Sequence, residues 1–286
     1  MKMEDNMKKL LLIIMMTAAL NVYAVENKDC FKENIAGAEV YVCSVKDNNL
    51  NTKILVTDNK EVIDYNKKVN PEGVSKNKHN IMIIKKGGNN VLVDTGYPDT
   101  INTLKSVLKS AGLETKDITH VILTHGHYDH IGGLTENGRA VFPNAYVYIN
   151  ENDYNYFCGT GKTDDSMKKT VENSRKIFAP YKDKIKFYKE GVIDEKIKEI
   201  KAVSAYGHTP GHSLINISDK NKDLLFVSDL FHIYNVQIKY PKTPVSFDTD
   251  KKEAVDTRLN IIKKYTGTNT LIVGSHTPFS IPVTWK

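Results

Sequence analysis

Thr124-His-Gly-His-Tyr-Asp-His-Ile-Gly-Gly133 follows Ile118-Thr-His-Val-Ile-Leu123, an apolar run of strand length and composition. The four side chains His125, His127, Asp129 and His130 can each bind a metal ion, and they fall within six residues. His125, His127 and Asp129 alternate, as side chains on one face of an extended chain do. His130 breaks that phase just before two glycines, so the spacing predicts a strand that ends in a turn where side chains converge. Imidazole nitrogen and carboxylate oxygen suit a borderline divalent ion, zinc above all, with manganese, iron or cobalt as alternatives. One ion takes about three or four protein ligands. The density of donors here, with more His and Asp downstream, predicts two ions.

A surface His-rich tract without metal is the competing reading. It is disfavoured because the same setting recurs along the chain. His208 lies in Tyr206-Gly-His-Thr-Pro-Gly-His212, Asp229 ends Asp223-Leu-Leu-Phe-Val-Ser-Asp229, and His276 follows Thr270-Leu-Ile-Val-Gly-Ser275. Each candidate ligand comes at or after the end of a short apolar segment, where a loop-built site on a rigid scaffold belongs. His212 and His232 are surplus to this series and are expected to pack or to support ligands. The chain has no Gly-x-Ser-x-Gly elbow that would supply a serine nucleophile. Its three cysteines, Cys30, Cys43 and Cys158, stand apart from the histidine motifs, so thiolate ligation is not expected. In an oxidising compartment Cys30 and Cys43 could pair.

The series His125-x-His127-x-Asp129-His130, His208, Asp229 and His276 is similar to the ligand series of the metallo-β-lactamase superfamily, in order over roughly residues 80 to 286. Val93-Asp-Thr-Gly96, Phe142-Pro-Asn-Ala145, Ser228-Asp-Leu230, Phe247-Asp-Thr-Asp250 and Gly274-Ser-His-Thr-Pro-Phe279 resemble the branch containing methyl parathion hydrolase and N-acyl homoserine lactonases. The resemblance implies an α/β fold, an αββα sandwich of two mixed β-sheets flanked by helices, with a dinuclear centre. It places His125, His127 and His208 on one ion and Asp129, His130 and His276 on the other, with Asp229 bridging. It makes Asp94 a support for a metal-binding His, a role that fits a carboxylate accepting the free imidazole N–H. It implies a metal-bound hydroxide as nucleophile, with Asp129 and Asp229 as the catalytic carboxylates and Asp129 shuttling a proton to the leaving group. The implied substrates are lactones, esters or phosphotriesters. The alternatives are an exported class B-type β-lactamase and, further off, a metal-binding protein without catalysis.

The N-terminus reads as an address. Lys8 and Lys9 precede the apolar run Leu10 to Leu20, and Val22-Tyr-Ala24 offers small residues for cleavage. Residues 1–24 are therefore expected to be a signal peptide and 25–286 one hydrolase domain, periplasmic or secreted, with no stable membrane association after cleavage. The net charge of +6 is spread along the chain, not gathered into the patch that nucleic acid requires. A small-molecule substrate is the expected partner, and a homodimer is left open. Strands are predicted at 38–45, 53–57, 80–85, 90–94, 118–123, 145–149, 184–188, 197–205, 213–217, 223–228 and 270–274. Helices are predicted at 99–112, from 152, at 166–179 and at 249–265, and the polar stretch 66–78 reads as a loop. Tyr154, Phe157, Phe231 and Tyr234 are candidates for the wall of a substrate pocket.

Overall fold

In Asn80-Ile-Met-Ile-Ile-Lys85 apolar residues are consecutive, so both faces of the strand must be covered. The structure, a computed structural model, describes residues 30–159 and 165–286 and covers both faces. The expected signal peptide, 1–24, lies outside the described residues. Ile81 and Ile83 face one core, Met82 and Ile84 another. This strand belongs to a seven-stranded sheet in the order β1 (Cys30–Ile35), β2 (Ala38–Asn51), β3 (Val74–Lys86), β4 (Asn89–Val93), β5 (His120–Ile122), β8 (Tyr146–Asn150), β9 (Ile185–Tyr188). A separate two-stranded ribbon joins β6 (Thr135–Glu136) to β7 (Arg139–Ala140). Strands β1 to β4 are antiparallel, and β5, β8 and β9 add in parallel.

The second sheet runs β10 (Gly191–Val192), β11 (Ile200–Ser204), β12 (Ser213–Ser218), β13 (Asp223–Phe226), β14 (Leu271–Val273). Val40, Met82, Val93 and Ile122 of the first sheet pack against Ile200, Ile215, Leu224, Phe226 and Val273 of the second. The outer face of the first sheet is covered by Leu104, Val107 and Leu108 of a helix at Ile101–Ser110 and by Ile177 and Phe178 of another at Lys168–Phe178. Leu214, Leu225 and Ile272 of the second sheet meet Ile261 and Tyr265 of the helix Lys251–Tyr265. The result is an αββα sandwich, four layers that bury every apolar stripe. In chain order the helices are α1 (Lys60–Val69), α2 (Ile101–Ser110), α3 (Tyr128–Ile131), α4 (Glu151–Cys158), α5 (Lys168–Phe178), α6 (Tyr234–Gln237) and α7 (Lys251–Tyr265). Helix α7 starts where the Asp250 carboxylate accepts the Glu253 N–H at 2.9 Å, a side-chain cap on an otherwise unpaired donor. Among the described residues no helix is long and apolar enough to cross a membrane.

Two local expectations are corrected. Lys53 to Thr57 is not a strand: Thr52–Ile54 is a helical turn, capped by Asn51. The stretch 66–78 is not a loop: it contains the end of α1 and the start of β3. Strands β2 and β3 form one long hairpin reaching Asn51↔Val74, well past the apolar segments. Its far half escapes the alternation test because Asn48, Ser75, Asn77, His79 and Asn80 are buried although polar. Beyond the apolar core the hairpin faces polar partners instead: the Asn80 amide donates to the Gly274 and Phe279 carbonyls, and the Asn77 amide to the His232 carbonyl. Cys30 and Cys43 are opposite each other in the β1–β2 pairing and form a disulfide.

Candidate metal centre

Strands β4, β5, β11, β13 and β14 all finish at one end of the sandwich, and the loops leaving them carry the candidate ligands. The segment after β5 does not continue as strand but turns through His125 to His127 into the single helical turn α3. Gly126 lets this turn press against α4, since a Cβ there would collide with the Phe157 ring. Gly207 sits at φ +113, and a Cβ there would run into the backbone of Ala254, so only glycine sets His208 this close to α7.

Two groups of donors form. His125, His127, His208 and Asp229 place one ligand atom each within 4.8 Å of one another, and so do Asp129, His130, Asp229 and His276. The sequence series thus assembles into two clusters that share Asp229. In the first, His125 Nε2 is 3.0 Å from His127 Nδ1, which is 3.0 Å from His208 Nε2. A tetrahedral zinc with bonds of about 2.0–2.1 Å would separate its nitrogens by about 3.3 Å, so these atoms stand at the right spacing around one ion. In the second, His276 Nε2 is 3.2 Å from Asp129 Oδ2 and 3.3 Å from Asp229 Oδ2. His130 Nε2 and Asp229 Oδ1 face each other at 3.2 Å, yet both are buried without a hydrogen bond. Buried polar atoms left in this way are costly, and a cation between them would satisfy both.

The electrostatics agree with the donor set. Burial depresses the pKa of His125 and His208 well below the usual histidine range and that of His127 to about 4. Those rings are held neutral, as ligation requires. Burial also opposes charging His130 and His276, but Asp229 and Asp129 outweigh it and raise them, His276 to about 9. The carboxylates create a field that calls for positive charge there, whether from protons or from a metal ion. Burial would raise Asp229 too, but His276, His130 and His125 hold it well below the carboxylate range. The residues fit divalent ions bound through nitrogen and oxygen. The remaining cysteine, Cys158, is buried, and its thiol is pushed up to about 12, so it supplies no reactive thiolate.

Two of the candidate ligands are held from behind by buried carboxylates. Asp94 accepts the His130 ring N–H through Nδ1 at 2.8 Å, and also the Thr124 N–H at 2.9 Å and the Thr124 hydroxyl at 2.8 Å. Ser228 extends this chain by donating its hydroxyl to Thr124 Oγ1 at 2.7 Å. Asp94 and Ser228 both hold left-handed backbone, φ +59 and +47, strain that non-glycine residues keep only where surroundings enforce it. Asp248, within the quoted Phe247-Asp-Thr-Asp250 but given no role in the sequence reading, does for His208 what Asp94 does for His130, at 2.9 Å from Nδ1. Asp153 has no counterpart among the sequence motifs. Its fully buried carboxylate accepts from Gly126 N, Thr209 Oγ1 and Gly211 N, stapling the two histidine loops together. Nothing in the local sequence marks Asp153, because its partners are distant in the chain. His212 donates from Nδ1 to the Ala205 carbonyl, and its Nε2 accepts the Asp229 backbone N–H at 3.3 Å. His232 Nε2 lies 3.2 Å from Asp229 Oδ2.

A cavity of 270 Å³ opens onto the clusters, walled by Leu50, Tyr97, Tyr128, His232 and Phe247, with Asp129, Asp229, His127 and His276 at its floor. The expected pocket aromatics are elsewhere. Phe231 is buried against Trp285, and Tyr234 packs on Phe231 and Phe279 and accepts the Trp285 indole N–H. Tyr154 packs on Phe178 and Phe187. Phe157 touches the His127 ring from beneath but is buried. These four served the hydrophobic core first. Arg258 explains why Phe231 and Tyr234 turn inward: fully buried, it donates to the carbonyls of Leu230, Pro241 and Thr243 and pulls that loop down onto α7.

Replacing Asp248 by Asn should weaken metal binding at the donor group that contains His208 by about tenfold or more, the usual cost of losing a carboxylate behind a metal-binding histidine. Titration of the metal-stripped protein with zinc against a chromophoric chelator reads this directly. Unchanged affinity would mean that His208 is oriented by something else.

The comparisons with known proteins agree with this geometry. Residues 75–274 match the metallo-beta-lactamase superfamily. The uncharacterized protein YobT of Bacillus subtilis (strain 168) is 26% identical over 183 residues, 62% of this chain and 74% of that protein. Several other curated relatives are matched over less than half of their own length. The crystal structure of AbOPH, a hydrolase in the beta lactamase superfamily, superposes with a TM-score of 0.80 at 25% identity, covering 90% of this chain and 94% of that one. AidC, a dizinc quorum-quenching lactonase in complex with a homoserine product, superposes with a TM-score of 0.79 at 23% identity over 90% of this chain and 93% of its own, a likeness of fold. By the matched length of its sequence and by its shared architecture, the chain belongs to the metallo-beta-lactamase superfamily and is a metal-dependent hydrolase.

Proposed function

We propose that the chain hydrolyses a small lactone, ester or phosphotriester at a pair of divalent ions, zinc in the first instance. The observation that carries this reading is the sharing of Asp229 by two donor groups beneath one cavity. AbOPH and AidC, named as a hydrolase and as a lactonase, support the same class. His125, His127 and His208 would hold one ion and Asp129, His130 and His276 the other, with Asp229 common to both. When bound, such ions polarise the electrophilic oxygen of a substrate and lower the pKa of water.

The chain's own residues do the rest. Tyr97, Tyr128, Leu50 and Phe247 present apolar and aromatic surface to the part of the substrate that is not reacting, which fixes its orientation. Asp129, its side chain 18% exposed at the cavity floor, is the carboxylate able to accept a proton from the attacking water and return it to the leaving oxygen. The Tyr97 hydroxyl lies against Asp129, and burial raises its pKa, so it stays protonated and able to donate.

The test is a substrate panel on protein loaded with zinc or manganese, with metal content measured alongside. Turnover of an N-acyl homoserine lactone or an aryl phosphotriester is expected. A fully loaded enzyme that opens only β-lactams would replace this reading with the β-lactamase one.

We also propose that the chain is exported as residues 25–286. The Cys30–Cys43 disulfide supports this, since such bonds persist in oxidising compartments. Mass spectrometry of the protein from its native host should find a chain starting near Val25; an intact N-terminus in the soluble cytosol would overturn the proposal.

A further inference from the structure

His79 belongs to neither donor group. It lies on β3, which runs antiparallel to β4 and so brings its first half to the end of the sandwich where the metal-site loops emerge. The side chain is completely buried, and neither ring nitrogen has a hydrogen-bond partner. The rings of Tyr97, His130 and His276 surround it at centroid distances of 5.2, 5.2 and 5.3 Å. A phenylalanine would fill such a ring-lined space without leaving polar atoms unsatisfied. The imidazole therefore needs a polar reason to be there.

A carboxylate oxygen, Asp129 Oδ2, lies 3.8 Å from His79 Nδ1. That is too long for a hydrogen bond but within reach of a small carboxylate rotation. An ionised carboxylate has about four lone-pair positions on its two oxygens. One oxygen can therefore face an ion and still accept an N–H from behind.

We propose that His79 is a positioning residue for the second ion: its Nδ1–H anchors the Asp129 carboxylate at Oδ2, fixing the one ligand of that donor group that is partly exposed. The proposal rests on the two-ion reading above. It extends to Asp129 the support that Asp94 gives His130 and Asp248 gives His208. Asp129 needs it because it doubles as the proton carrier, and a carboxylate free to swing would do both jobs poorly.

The experiment is stepwise zinc titration of the metal-stripped full chain against a chromophoric chelator. His79→Phe keeps the ring and its packing but removes the donor. His79→Asn loses the ring but places an amide N–H near the Nδ1 position. The first ion should bind both variants as it binds the wild type. The second should bind His79→Phe about 10–100-fold more weakly, the usual effect of losing an outer hydrogen bond to a ligand, and His79→Asn within about threefold of wild type by the same reasoning. Equal second-ion affinity in wild type and His79→Phe would overturn the proposal. So would equal loss in both variants, which indicates packing alone. Where His79→Phe does not fold, His79→Leu against His79→Asn gives the same comparison. A wild type that binds no zinc, or only one ion, would instead defeat the two-ion reading itself.

Discussion

Asp229→Asn is expected to lower kcat by at least about a hundredfold, equivalent to about 2.7 kcal/mol of transition-state stabilisation, and to strip metal from the protein. Asp229 is the only side chain common to both donor groups. Its Oδ2 lies 3.2 to 3.7 Å from nitrogens of His125, His208, His232 and His276, and its Oδ1 faces His130. On the two-ion proposal, divalent ions about 3.5–4 Å apart would repel strongly, and a carboxylate between them would offset that repulsion in a way a neutral amide would not. The substitution keeps the shape and leaves the φ and ψ of this position accessible, so the protein should fold. His212→Ala would be a poor control, because His212 accepts the Asp229 backbone N–H. Asp256→Asn, on the exposed face of α7, is a sound one. Metal content and turnover measured together decide the matter. Full activity with both ions retained in Asp229→Asn would mean that the bridge is assigned to the wrong residue.

The second large effect is expected at Asp94. Removing its carboxylate as Asp94→Ala orphans three donors, from His130 and Thr124, in a fully buried position. Breaking a buried charge-assisted pair by removing one partner costs about 3–5 kcal/mol. The left-handed backbone at φ +59 adds to it, since alanine tolerates that region less well than Asp or Asn. Asp94→Asn separates the two contributions: it accepts the backbone geometry but brings an NH₂ group that must face a donor. Chemical denaturation should show Asp94→Ala less stable than Asp94→Asn, and both less stable than wild type. Both should also lose affinity for the second ion. Equal stability of all three would show that the carboxylate's network is not holding the fold.

The ligand series was legible because its residues are chemically specific and sit beside apolar strand segments that the eye can find. The four-layer arrangement followed from resemblance, and the strands at 80–85 and 90–94 from their composition. What the sequence hid has a common cause. Asp153 and Asp248 act on partners 27 to 58 residues away, through contacts that no local pattern encodes. The polar half of the β2–β3 hairpin reads as loop for the same reason: the buried Asn77 and Asn80 amides donate to carbonyls of His232, Gly274 and Phe279, far along the chain. The pocket aromatics were misplaced because an aromatic near a ligand in sequence has no obligation to point the same way. Phe231 follows Asp229 by two positions, yet Arg258 draws its loop into the core. Of the residues that wall the cavity, Tyr128 and His232 lie beside ligands in sequence, but Leu50, Tyr97 and Phe247 come from three separate segments.

The donors come from both halves of the sandwich: His125, His127, Asp129 and His130 leave the first sheet, and His208, Asp229 and His276 leave the second. An ion seated there would be a rivet added to the shared core and the few hydrogen bonds that already join the two sheets, and resistance to unfolding would become a function of the ion concentration outside. A site with free ion at a thousand times its dissociation constant adds about 4.1 kcal/mol to the folded state, a large share of what holds a domain together. Metal starvation would then act on abundance as well as on rate, by letting the two sheets part and exposing the chain to proteolysis.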